Sequence, residues 1–106
     1  MSASFRRFEI LLPRRHNDGE PVPDKLIADV LLELEGRFGA VSSETQIIRG
    51  LWRHDDQLFR DDLVRIFVDV PDGPECRQFF LEFKDRLKVT FHQLDIRMTT
   101  HAIEVL

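Results

Sequence analysis

The apolar residues of this chain alternate between two periods, and the changes come in a repeated order. An alternating stretch, a helical stripe and a second alternating stretch are followed by the same three again. In residues 5–12, Phe8, Ile10 and Leu12 alternate with Arg7, Glu9 and Leu11, and Pro13 ends the strand. In residues 24–38, Ile27, Val30, Leu31, Leu34 and Phe38 fall on one helical stripe. Asp24 is the expected N-cap and Gly39 the expected left-handed stop. Residues 44–54 read as a long strand whose register is ambiguous. Ile47 and Leu51 point one way, Ile48 and Trp52 the other, so either Gly50 marks a bulge or both faces are covered. Asp55, Asp56 and Gln57 form a hairpin turn. In residues 58–70, Val64, Ile66, Val68 and Val70 alternate with Arg65, Phe67 and Asp69. Pro74 suits the first position of a second helix, whose stripe is Cys76, Phe80, Phe83, Leu87 and Phe91. A last strand is expected from Leu94, with Ile96 and Met98 facing one way and Asp95, Arg97 and Thr99 the other. The tail from His101 extends it or adds a short strand.

The order is β-α-β-β-α-β. Right-handed crossovers place both helices on one face of an antiparallel four-stranded sheet of order 4-1-3-2. The pattern resembles the ferredoxin-like superfold, an α+β sandwich, and residues 1–106 read as one such domain. That superfold hosts many unrelated functions, so the fold alone names none.

Composition removes several classes. A formal net charge of −4 argues against a general nucleic-acid binder. The first strand shows Arg7 and Glu9 where an RNA-binding module of this topology displays stacking aromatics. Leu12, Pro13 and Arg14 stand where a small nuclease of this topology places an acidic metal ligand. The single Cys76 forms no internal disulfide, and neither a secretory leader nor a membrane span is visible, so a cytoplasmic protein is expected.

The sheet face away from the helices is either solvated and laced with ion pairs or covered by a ligand or another chain. Arg7, Leu11, Trp52, Arg65, Phe67 and Arg97 are candidate contacts for a homodimer whose sheets face one another. Twelve Arg against three Lys supply planar, bidentate donors for such a surface. Two clusters are candidate ligand sites. Arg14, Arg15 and His16, in the longest loop, suit a phosphate or carboxylate. Arg53 and His54, beside Asp55 and Asp56, and Arg60 with Asp61 and Asp62 flank the second hairpin; carboxylates beside a His suit a divalent metal or a proton-transfer pair, and at a hairpin tip they are also ordinary turn formers. A metal at His54 would need His16 or His101 beside it. No cofactor or metal motif is present.

A closed double sheet of this topology resembles the dimeric α+β barrel group, which includes small heme-handling and monooxygenase proteins. The stretch Gly50-Leu51-Trp52-Arg53 resembles one found on the second strand of uncharacterised small bacterial domains. The leading expectation is a non-enzymatic homo-oligomeric module for a protein partner or a small anionic ligand. The alternative is an enzyme of the dimeric α+β barrel type with an Arg- and His-lined cleft; a nucleic-acid or toxin–antitoxin component comes third. An enzyme requires a pocket where a His or Asp and an Arg converge, and a flat, salt-paired sheet face counts against it.

Overall fold

The computed structural model describes residues 4–44 and 46–106. The elements in order are β1 (Phe5–Pro13), α1 (Asp24–Phe38), β2 (Ser42–Ser43), β3 (Ile48–His54), β4 (Gln57–Pro71), α2 (Pro74–Thr90) and β5 (Met98–Ile103). β4 and β1 form the centre of one antiparallel sheet, β5 lies beyond β1, and both β2 and β3 pair with the outer side of β4. This is the expected ferredoxin-like order, with one difference. The sheet has five strands, because the two-residue β2 pairs with β4 ahead of the expected second strand, which itself begins at Ile48 instead of residue 44. Residue 45 of that expected strand lies outside the described residues.

Alternation explains which face is buried. Phe8, Ile10 and Leu12 of β1 and Val64, Ile66, Val68 and Val70 of β4 all sit beneath the helices. Val30 and Leu34 of α1 and Phe80, Phe83 and Leu87 of α2 close over them, joined by Phe91 and Ile96. Phe80 is the hub: its ring stacks on Phe8 at 4.0 Å and on Phe38 at 5.4 Å. No polar or charged residue is buried among those described, so hydrophobic burial and aromatic packing carry the core.

Several local expectations change. Pro23, in extended conformation, takes the N-cap position of α1, and Asp24 is the first helical residue, where its charge still suits the helix N-terminus. Gly39 does stop α1 in the left-handed region, at φ 86°. Pro74 opens α2 as expected. β5 begins at Met98, four residues later than Leu94 suggests. The chain leaves α2 through His92 at φ 51°, and Asp95 is held by Lys84 of α2 at 3.2 Å instead of joining the ladder. Among the described residues one backbone bond, from Leu11 N–H to the Arg97 carbonyl, precedes the regular β1–β5 pairing.

Gly50 is not a bulge. β3 and β4 pair one to one from Ile48 opposite Leu63 to His54 opposite Gln57. The irregularity lies earlier on that edge: Ser43 opposes Ile66 and Ile48 opposes Leu63, so the edge segment is longer than the stretch of β4 it spans. The ambiguous register of β3 has a simple cause. β1 reaches along β4 only to Leu63, so β3 and the first half of β4 project as a two-stranded arm. None of residues 48–62 is fully buried. With no helix layer to enforce a facing, apolar residues occur on both sides of the arm.

Candidate functional site

Directly opposed residues of an antiparallel ladder share a face. The pairs Ile48–Leu63, Gly50–Asp61 and Trp52–Phe59 therefore lie on the face that carries Arg65, Phe67 and Asp69 further along β4. Where the arm meets the sheet, this face borders a cavity of about 450 Å³. One wall is the arm, with Ile48, Gly50, Trp52, Asp61 and Leu63. The opposite wall comes from α2, the segment leading into β5 and the start of β5, with Lys84, Asp95, Arg97 and Met98. Leu11 and Pro13 also line it. Its volume is in the range of small-molecule sites.

Trp52 is fixed from two sides. Its ring stacks on Phe59 at 4.5 Å and 17°, and its indole N–H donates to the Asp61 carboxylate. Gly50 is the residue directly across from Asp61. It contributes no side chain, and a Cβ built there would lie 3.2 Å from Leu63 Cδ1. A strand glycine of this kind leaves room for another group to approach the backbone. Across the cavity Lys84 and Asp95 are paired, whereas Arg97 is exposed and makes no ion pair among the described residues.

The rest of the open face is a paired network. Arg7 meets Asp69 through two hydrogen bonds of 2.7 and 3.0 Å. Arg65 bridges Glu9 and Glu44. The guanidinium groups of Arg7 and Arg65 both lie over the Phe67 ring, at 4.5 and 4.7 Å. Bonds from Arg65 hold the Glu9 carboxyl below the usual carboxylate range, against the opposing effect of burial. Arg7 does the same for Asp69. His101 stands opposite Arg7 on β5.

The two expected ligand clusters are kept apart. Arg14 N–H bonds the Asp62 carbonyl at the root of the arm, whereas Arg53 and His54 sit at its far end, roughly 15 Å away at strand spacing. Arg14 is exposed, Arg15 donates to the Gly19 carbonyl of its own loop, and His16 is half-buried. The His16 ring stacks on His92 at 4.5 Å, and its Nδ1 lies 2.9 Å from the Phe91 carbonyl. This loop is thereby clasped to the end of α2. At the tip, Arg53 donates to the Asp56 carbonyl and His54 lies 3.3 Å from Asp55. Among the described residues no three His, Cys, Asp or Glu side chains group to hold a metal ion. Of the candidate interface residues, Leu11, Trp52 and Arg97 line the cavity, whereas Arg7, Arg65 and Phe67 belong to the paired network.

Of the cavity residues, Lys84 gives no signal in the sequence, and Asp61 is read there as part of the hairpin flank and not as a wall of a site. Asp61 sits near a hairpin tip and reads as a turn former. The signal for its role is parity: Phe59, Asp61 and Leu63 continue the alternation that carries Arg65 and Phe67.

No protein-family model matches the chain, and no curated protein does. Among solved structures it is similar to a phage SAM lyase in complex with S-methyl-5'-thioadenosine. The TM-score is 0.67 at 14% identity, over 99% of this chain and 92% of that one. The likeness establishes the fold. The neighbour is an enzyme with a small molecule bound, a finding that speaks against the expected non-enzymatic interaction module. The paired sheet face that would count against an enzyme is present, but it does not extend across the cavity. There Asp61, Asp95 and Arg97 line one space.

Proposed function

We propose that the chain is a small enzyme that cleaves an adenosyl sulfonium compound, with S-adenosylmethionine as the reference substrate, in the cavity at the root of the arm. The observation that carries this reading is the cavity itself. It is of small-molecule size, with an aromatic residue on one wall and unlike charges on the other. The ligand class comes from the fold neighbour, whose structure holds S-methyl-5'-thioadenosine.

The chemistry places modest demands on the protein. Release of methylthioadenosine breaks the bond between sulfur and the γ-carbon of the amino-acid chain. The bonding pair stays on sulfur, which loses its positive charge, and the γ-carbon is taken by the substrate's own carboxylate oxygen. Atoms and charge balance without water, oxidant or reductant. Charge is lost as the bond breaks, so a water-poor environment raises the ground state relative to the transition state. Ile48, Leu63 and Met98 supply apolar surface for that. Binding that brings the carboxylate onto the γ-carbon supplies proximity.

The test is to incubate the protein with S-adenosylmethionine and follow methylthioadenosine by chromatography. Steady formation, reduced at least tenfold in Trp52→Ala, is the expected result. Formation no faster than in a protein-free control, with no measurable binding of methylthioadenosine, would remove the reading.

A further inference from the structure

Resting on that reading, we propose an orientation for the ligand: its nucleoside end lies against the arm and its amino-acid end against the segment leading into β5. The two walls differ in the chemistry that this requires. The arm wall offers the Trp52 ring, one carboxylate and a gap. Asp61 has no cationic partner among the described residues, one of its oxygens is held by the Trp52 indole, and Gly50 across the ladder leaves its approach open. A carboxylate beside an aromatic plane suits a ribose, whose two hydroxyls donate to it while the base stacks. The opposite wall carries both signs of charge. Arg97 has no acidic partner among the described residues and presents a fork of donors that fits a carboxylate. Asp95, paired with Lys84 and still mostly exposed, has acceptor capacity left for an ammonium group. A zwitterionic amino-acid tail is the group that uses both.

Two probes separate the walls. S-methyl-5'-thioadenosine has the nucleoside without the tail, and S-adenosylhomocysteine has both. Trp52 is the only tryptophan and lies on the cavity wall, so its fluorescence reports binding. Asp61→Asn keeps an acceptor for the indole N–H and is expected to weaken both probes about tenfold. Arg97→Ala, at an exposed position, is expected to weaken S-adenosylhomocysteine about tenfold while leaving methylthioadenosine within about twofold. Unchanged circular dichroism in both variants excludes misfolding as the cause. Equal losses for the two probes in Arg97→Ala, or a loss confined to the tail-bearing probe in Asp61→Asn, would overturn the orientation and leave the proposed function standing. Failure of the unmodified protein to bind either probe would overturn both.

Discussion

Gly50 stands directly opposite Asp61 in the β3–β4 ladder, so a carboxylate on the cavity wall faces a position with no side chain. In Gly50→Ala the new methyl group meets Leu63 Cδ1 at 3.2 Å and enters the cavity. The fold should tolerate it, since alanine also restricts the unfolded chain, and stability should stay within about 1 kcal/mol of the parent. Binding of methylthioadenosine, read by Trp52 fluorescence, should fall about fivefold or more. Full affinity in this variant would show that the gap is not part of the site.

The Glu9–Arg65 pair gives a pH signature. Its folded-state carboxyl is depressed, chiefly by the hydrogen bonds from Arg65. Its contribution is therefore fully present above the unfolded-state value and is lost as pH falls through the folded one. Urea titrations should find a stability gap between the parent and Glu9→Gln that is constant near neutrality and closes between about pH 5 and pH 2. Both side chains are half-buried but lie on the open face of the sheet, within reach of solvent ions, so the gap should be modest and shrink in high salt. A gap that widens on acidification would contradict this account of the pair.

Core and arm should respond differently to truncation. Phe80 is fully buried between Phe8 and Phe38, and Phe80→Ala should cost about 3–5 kcal/mol in chemical denaturation. Leu51 on the arm is 69% exposed, and Leu51→Ala should change stability by less than about 0.5 kcal/mol. Comparable losses in the two variants would mean that the arm is packed against another surface in solution.

The arm's turn is a further test. Asp55 and Asp56 take φ values of 50° and 63°, as a two-residue hairpin turn with positive φ at both positions demands. Glycine meets that demand at the second position without steric cost. Asp56→Gly should stabilise the arm by about 0.5–1 kcal/mol, visible as slower amide exchange in residues 48–62. Faster exchange would point to a stabilising role of the Asp56 side chain.

The strands and helices were legible because most of them pack against one another. Val64 to Val70 and the Phe80–Phe83–Leu87 stripe announce their facing through burial. The arm has no covering layer, so Ile48, Leu51 and Trp52 obey no single facing and their register could not be read. The late start of β5 depends on the Lys84–Asp95 contact, which joins elements distant in the pattern. The cavity was legible only in part. Leu11, Trp52 and Arg97 were recognised as exposed and suited to contact, but three separate segments meet there, and only tertiary structure brings Asp61 across from Arg97.

The projection of β3 and β4 past β1 has a thermodynamic consequence. Isolated two-stranded ribbons are marginal in water, whereas sheets backed by helices are not. Residues 48–62 should therefore open in a separate local unfolding step, at a lower free energy than the Phe80 core. Because one wall of the cavity belongs to that weaker unit, ligand affinity and global stability are set by different parts of the chain. Substitutions on the arm are then free to retune recognition while the midpoint of global unfolding barely moves.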